Sequence, residues 1–388
     1  MNITKPSNKW RIGSLFSKTG TTAIIEISQQ NGMLLAIHEI NNNGGINGRQ
    51  IEVTSYDPGS NVKKYGELAE TLIVKDKINI IFGCYMSSCR KEVLPVVERY
   101  NALLFYPTLY EGFEFSPNVL YGGATPNQNS VPLANFLLTG YGKKIYFVGS
   151  DYIYPRESNR MMRHAITQGG GEILNEVYVP VRAGEASFTH IIEDIKRVKP
   201  DAIFSTVVGK GAINFYRAYK KMGGDVSSCP IASLTTNEAE ITEMGTSVAA
   251  GHITSAPYFR NLQTERNQLF KESYRSLFGN ITGITSCCEA AYVQMHMFAT
   301  ALEVVGEIDP IKIREQLLGA HFDAPQGSVK IDPDNGHTYL HALIAVVDDN
   351  GEFVIETRVK RSIKPDPYLV HPEVNDLNLR LQTARYVK

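Results

Sequence analysis

The chain is short of cysteine, of net charge and of long apolar runs, and each shortage excludes a class of protein. Its 388 residues carry 39 Lys and Arg against 40 Asp and Glu, a formal net charge of −1. Nucleic-acid binding draws on clustered cations, and no basic run interleaves with aromatics here, so no direct nucleic-acid contact is expected. No stretch approaches the roughly 20 apolar residues that span a bilayer, so no membrane insertion is expected. The start, "MNITKPSNKWRIGSLFS", is polar and has no apolar core of a secretory leader. That predicts the cytoplasm, with the periplasm as the alternative if a leader has been removed. Five cysteines, an odd number with Cys287 and Cys288 adjacent, suit free thiols better than a disulfide framework.

Cofactor and catalytic motifs are also missing. There is no Walker A loop, G-x-S-x-G elbow or G-x-G-x-x-G fingerprint. Cys84 and Cys89 are spaced C-x₄-C without a histidine or second cysteine pair nearby, which disfavours zinc. His337 and His341 would be ligands on a helix, but after the turn "DPDNG" they fall in a hairpin strand, about 13 Å apart. Asp151 is an acid without a legible partner. No cofactor, no metal and no enzymatic activity are expected.

What is present is an alternation of strand and helix. "WRIGSLF", "RQIEVTSYD", "INIIF", "ALLFY" and "VLYGG" are short apolar strands separated by helical patterns, and "KKIYFVGS" opens a second such set. Strands alternating with helices imply parallel sheets covered on both faces. The C-terminal part instead alternates residue by residue around two "NG" turns, which predicts antiparallel hairpins. The expected fold is α/β: two doubly wound parallel-sheet lobes forming a clamshell. The first lobe is expected over 1–125 plus 254–330 and the second over 126–253 plus 331–388. Hinges are expected near 122–127, 250–258 and 325–332.

Open α/β sheets bind ligands beyond the carboxyl ends of their strands. The residues there are Phe16, Ser17 and Thr19, then Tyr85, Ser87 and Ser88, then Tyr106, Pro107 and Thr108. The second set gives Ser150, Asp151 and Tyr152, then Thr206, Val207 and Val208, then Thr235, Thr236 and Asn237. A single Ser or Thr after a strand is more often a helix cap than a ligand contact. The accumulation of hydroxyls and rings at several strand ends is what suggests a pocket. No Lys or Arg is among them, so an anionic ligand lacks its usual partner, and Glu238 is the only acid placed to meet an ammonium group. Helix N-terminal amides at Ser87 suit a carbonyl oxygen, and the tyrosine hydroxyls suit an NH₂ group. A primary amide or urea fits that description.

The strings "GCYMSSCRKEVLPVVE", "YPTLYEGFEFSPNVLYGG", "PNQNS", "GSDYIYPRESNRMMRH", "FSTVVG", "SLTTNEAE" and "DAPQG" carry a family likeness. Through them the chain resembles the type I periplasmic-binding-protein family, in its amide and urea branch, which includes amide sensors that regulate amidase operons. The resemblance runs from "IGSLFSKTG" to "KPDPYLV". It implies a clamshell that closes on short aliphatic amides, with Tyr85, Ser87, Tyr106, Thr108 and Tyr152 at the ligand. It also implies a partner, an RNA-binding antiterminator protein held inactive until amide binds. "SSC" at 87–89, the loop at 181–188 and the C-terminal tail depart from the family pattern. The expected function is a non-enzymatic amide sensor. The alternative is the binding protein of a urea or short-amide uptake transporter, and an amide hydrolase comes third. A homo-oligomer is compatible with the chain. The expected ligand-binding set is Tyr85, Ser87, Tyr106, Pro107, Thr108, Tyr152, Thr206, Val208 and Thr236.

Overall fold

A computed structural model describes residues 9–369; the polar start (1–8) and the tail (370–388), both assigned above to lobes, lie outside it. The first sheet contains β1 (Lys9–Leu15), β2 (Gln50–Tyr56), β3 (Ile80–Gly83), β4 (Leu103–Tyr106) and β5 (Val119–Tyr121), in the order β2-β1-β3-β4-β5. Every pairing in it is parallel. β3 and β4 are buried along their whole length, which is why they read as unbroken apolar runs rather than alternating ones. The order places a topological switch at β1, between β2 and β3.

The second sheet is built on β6 (Lys144–Ser150), β7 (Glu172–Val179), β8 (Ala202–Thr206), β9 (Ile231–Ser233) and β10 (Ile253–Ala256). Late in the chain, β11 (His321–Ala324), β12 (Gly327–Ile331) and β13 (Thr338–Tyr339) make a small antiparallel sheet. Then β14 (Leu343–Val347) and β15 (Phe353–Arg358) add an antiparallel edge to the second sheet, giving β15-β14-β10-β9-β8-β6-β7. The two "NG" pairs, Asn335-Gly336 and Asn350-Gly351, lie in the β12–β13 and β14–β15 turns, where hairpins were expected.

Helices from distant parts of the chain complete each lobe. Phe82 stacks on Phe105 at 4.4 Å, and Phe298 meets both edge-on at 5.8 and 5.6 Å. Phe298 belongs to helix Ser286–Val305, so a late helix closes the core of the first sheet. That helix crosses helix Ala23–Asn42, with Ser28 Oγ 2.7 Å from Thr285 Oγ1. The approach is close enough that a Cβ on Gly32 would stand 2.0 Å from the Cys288 carbonyl oxygen, so only glycine fits there.

Strand pairing locates where the chain runs from one sheet to the other. Ile253 and Thr254 pair with Ala232 and Ser233, which keeps the chain in the second sheet through β10. Lys330 and Ile331 pair with Tyr339 and Thr338, which keeps residues up to Leu340 beside the first core. The chain therefore passes between lobes at about 122–129, just after Ala256, and between Leu340 and Leu343.

Candidate functional site

Where β3 ends, Cys84 takes a left-handed backbone (φ 71°), an uncommon conformation for a residue with a side chain. Its N–H donates to the Leu15 carbonyl of β1 at 3.1 Å, which ties the turn to the neighbouring strand. Tyr85 and Met86 follow, and Ser87 opens helix Ser87–Arg99 as the sequence indicated. Cys84 and Cys89 are buried thiols, and burial pushes both well above the ordinary range. Both pack in the apolar cluster with Leu15 and Tyr85, and neither lines a cavity at the strand ends.

Behind Ser87 lies a buried ionic cluster that strand-end reasoning missed. Arg90 is 0% exposed; its Nε donates to Glu114 Oε1 at 2.6 Å and its Nη2 to Glu111 Oε1 at 3.1 Å. The guanidinium carbon sits 4.9 Å from the Tyr106 ring centroid and 4.7 Å from that of Tyr110. Ser87 Oγ accepts from Arg90 Nη1 at 3.3 Å and donates to Glu111 Oε2. Burial would push the Glu114 carboxyl up, but Arg90 and Lys91 hold it below its ordinary value. The Arg90 charge is thus matched by two carboxylates. A signal existed: Ser87 and Arg90 are one helical turn apart and so share a face.

The structure sorts the expected contacts into three groups. Tyr85, Ser87, Thr108 and Tyr152, together with Tyr154 and Thr235, line a small cavity at the strand ends. Its volume is about 10 Å³. Thr108 is fixed from both sides: its Oγ1 accepts from Gln29 Nε2 at 2.7 Å and donates to the Cys84 carbonyl at 3.2 Å. Pro107 and Thr236 instead line a neighbouring cavity of about 30 Å³, walled by both crossing segments, 122–124 and 255–259, and by Glu238 and Cys287.

Tyr106, Thr206 and Val208 line neither. The Tyr106 hydroxyl donates to the Tyr85 carbonyl at 2.7 Å, so it fixes the turn that carries Tyr85. Thr206 Oγ1 donates to Asn159 Oδ1 at 2.9 Å, facing the helix behind its own sheet. Val208 packs into the apolar cluster of Leu15, Tyr85 and Tyr154, where the lobes meet. Ser17, at the end of β1, is drawn into a buried network in which its N–H donates to Glu26 Oε2 at 2.8 Å. The lobes touch directly, with the Lys210 N–H donating to the Thr21 carbonyl at 3.3 Å.

The electrostatics of the two cavities are those of neutral donors and acceptors. No Lys or Arg lines either cavity. Burial holds the Tyr85 and Tyr152 phenols far above their ordinary range, so they stay protonated. Neither hydroxyl is hydrogen-bonded among the described residues, and the buried Tyr154 hydroxyl has no partner, Ser158 lying near without completing a bond. Burial pushes Glu238 up to about 7, against the opposing N–H of Arg260, and pushes the Cys287 thiol to about 12. Glu240, another residue not foreseen, is wholly buried with Oε1 unpartnered and is pushed to about 8. Among the described residues no cluster of His, Cys, Asp or Glu is arranged to hold a metal ion, and no helix is long and apolar enough to cross a membrane.

Two α/β lobes in contact beside neutral, hydroxyl-lined cavities define a clamshell architecture. Comparison with known proteins agrees. Residues 10–373 match the model of the periplasmic binding protein domain, and the chain belongs to that family, with its two-lobed type I fold. It is 26% identical over 294 residues, 74% of this chain and 75% of the relative, to Leu/Ile/Val-binding protein homolog 6 of Brucella melitensis. Among solved structures it is similar in fold to a solute-binding protein of an ABC transporter from Rhodopseudomonas palustris in complex with 3,4-dihydroxybenzoic acid. That likeness has a TM-score of 0.83 at 23% identity and covers 92% of this chain and 99% of the other. It is likewise similar to the branched-chain amino acid transporter substrate-binding protein of Streptococcus pneumoniae in complex with isoleucine. There the TM-score is 0.80 at 19% identity, with coverage of 92% and 100%. These relatives are binding proteins rather than enzymes.

Proposed function

We propose that this protein binds a short uncharged amide or urea between its lobes and leaves it chemically unchanged. The observation that carries the reading is the small cavity. Three phenols there (Tyr85, Tyr152 and Tyr154) lack protein partners, Ser87 and Thr108 complete the wall, and no cation is present. A phenol accepts from an amide NH₂ and donates to its oxygen, so such a ligand satisfies the Tyr154 hydroxyl, which is otherwise buried without a partner, and can also bond Tyr85 and Tyr152. Arg90 lies behind this cavity rather than in its lining, and its charge is already balanced by Glu111 and Glu114. The ligands of the benzoate- and isoleucine-bound neighbours are carboxylates, and this cavity supplies no free cation for one.

Delivery to a membrane permease, from the periplasm, is the role the relatives favour, and we take it as the first reading. A cytoplasmic amide sensor acting on an antiterminator is the second. The strings "GCYMSSCRKEVLPVVE" and "GSDYIYPRESNRMMRH" favour it. Either role uses the lobes as two bodies that close on the ligand, flexing at the three crossings.

Thermal shift with acetamide, propionamide and urea against acetate and alanine tests the ligand class, since stabilisation grows with free ligand over Kd. Stabilisation by the amides or urea and none by acetate is expected; equal or greater stabilisation by acetate overturns the reading. Fractionation of the native host separates the roles. Recovery with the periplasmic contents supports uptake, and cytoplasmic recovery with an amide-sensitive protein partner supports the sensor.

A further inference from the structure

We propose that the cavity beside the crossing segments is a second compartment of the ligand site, shut off from the first by the Tyr85 ring, and that Tyr85 sets the upper limit on ligand length. The inference rests on the amide reading above and deepens it. The two cavities share three wall residues: Tyr85, Leu109 and Thr235. Of these Tyr85 has by far the largest side chain, and at 4% exposure its ring is enclosed.

How that ring is held matters. Its backbone carbonyl is fixed by the Tyr106 hydroxyl at 2.7 Å, and its turn is tied to β1 by the Cys84 N–H donating to the Leu15 carbonyl. Its own hydroxyl is not hydrogen-bonded among the described residues, so truncation removes volume without breaking a bond inside the protein. The compartment beyond is walled in part by Leu234, Ala256, Phe259 and Ala290, with Glu238 at its polar side. Those walls suit an aliphatic or small aromatic tail attached to an amide head that stays with Ser87 and Thr108. With the ring in place, only heads with very short tails fit. With the ring gone, the two spaces join, because a core truncation leaves a void that neighbours fill only in part.

Calorimetry of Tyr85→Ala with acetamide, butyramide and benzamide tests this. The expected result is a shift of at least about tenfold in the ratio of butyramide or benzamide affinity to acetamide affinity, the scale of one or two methylenes in an apolar pocket. Tyr85→Phe, which keeps the ring, should leave the ratio at the parent value. Adding Ala290→Leu to Tyr85→Ala refills the far compartment and should return the ratio towards the parent. If Tyr85→Ala does not fold, Tyr85→Leu is measured in its place. An unchanged ratio in a folded variant that still binds acetamide overturns the proposal, as does a gain that survives Ala290→Leu. A parent protein that binds none of the three amides overturns the amide reading itself, and the proposal with it.

Discussion

Replacing Arg90 with alanine removes the buried positive charge from a cluster in which Glu111 and Glu114 are 3% and 7% exposed. Breaking a buried pair by deleting one partner typically costs about 3–5 kcal/mol, because the remaining charge stays buried and uncompensated. Two carboxylates lose their partner here, so the upper part of that range is expected. Lys91 still reaches Glu114 Oε2 at 3.0 Å from its exposed position and offsets part of the loss. The pH dependence should also change sign. In the parent, Glu114 is held below its ordinary value. Its contribution is therefore present above the unfolded carboxyl pKa and lost as pH falls through the folded one. Without Arg90, burial dominates and the folded pKa rises. The variant should then be most stable in acid and lose stability as pH rises through that value. Urea unfolding of parent and variant, repeated across the acid range, measures both effects. A loss below about 1 kcal/mol, or parallel pH profiles for the two proteins, would refute the assignment of Arg90 as the charge that holds the cluster. Arg90→Lys should fall between, since an ammonium keeps the charge but not the fork reaching both Glu111 and Glu114.

Two further outcomes follow from single residues. Glu240 is pushed up to about 8 by burial, so it stabilises the fold while neutral; that contribution is complete below the unfolded carboxyl pKa and gone above about 8. Glu240→Gln should flatten this alkaline decline by an amount on the order of a few kcal/mol, read from unfolding midpoints between pH 5 and 9; a variant that declines as the parent does would remove Glu240 from the account. A Cβ on Gly123 would stand 1.9 Å from the Thr108 carbonyl carbon. Gly123→Ala should therefore cost about 1–3 kcal/mol in stability and weaken acetamide binding, because Thr108 must move. Unaltered affinity in calorimetry would show that Thr108 is not held where the ligand sits.

The strands and their order of appearance were legible because buried parallel strands are apolar on both faces, as "INIIF" and "ALLFY" show. The hairpin ends were legible from the two "NG" turns. Which hydroxyls remain free was not. Tyr106 and Tyr85 look equivalent in the sequence, yet only three-dimensional packing sends one hydroxyl to a carbonyl and leaves the other without a bond. Thr206 is lost to Asn159 for the same reason. Gln29 escaped notice because it lies within helix Ala23–Asn42 rather than at a strand end, although it supports Thr108. The Arg90 cluster depends on Glu111 and Glu114, 21 and 24 residues away, and on the loop between β4 and β5 folding back over the helix. No local pattern encodes that return.

The crossing of helix Ser286–Val305 over helix Ala23–Asn42 has a consequence for how the molecule comes into being. Ser28 and Thr285 are 257 positions apart, and the ring of Phe298 completes an aromatic trio begun by Phe82. As the chain leaves the ribosome, the first sheet can pair its strands early, but the covering that shields Phe82 and Phe105 arrives only after the second sheet's parallel strands have been made. Contacts so far apart in sequence form slowly, and apolar surface stays open to wrong partners meanwhile. The nascent first lobe should thus be the vulnerable half. A chain interrupted near residue 260 should sediment or bind a chaperone, although all five strands of its first sheet are already present.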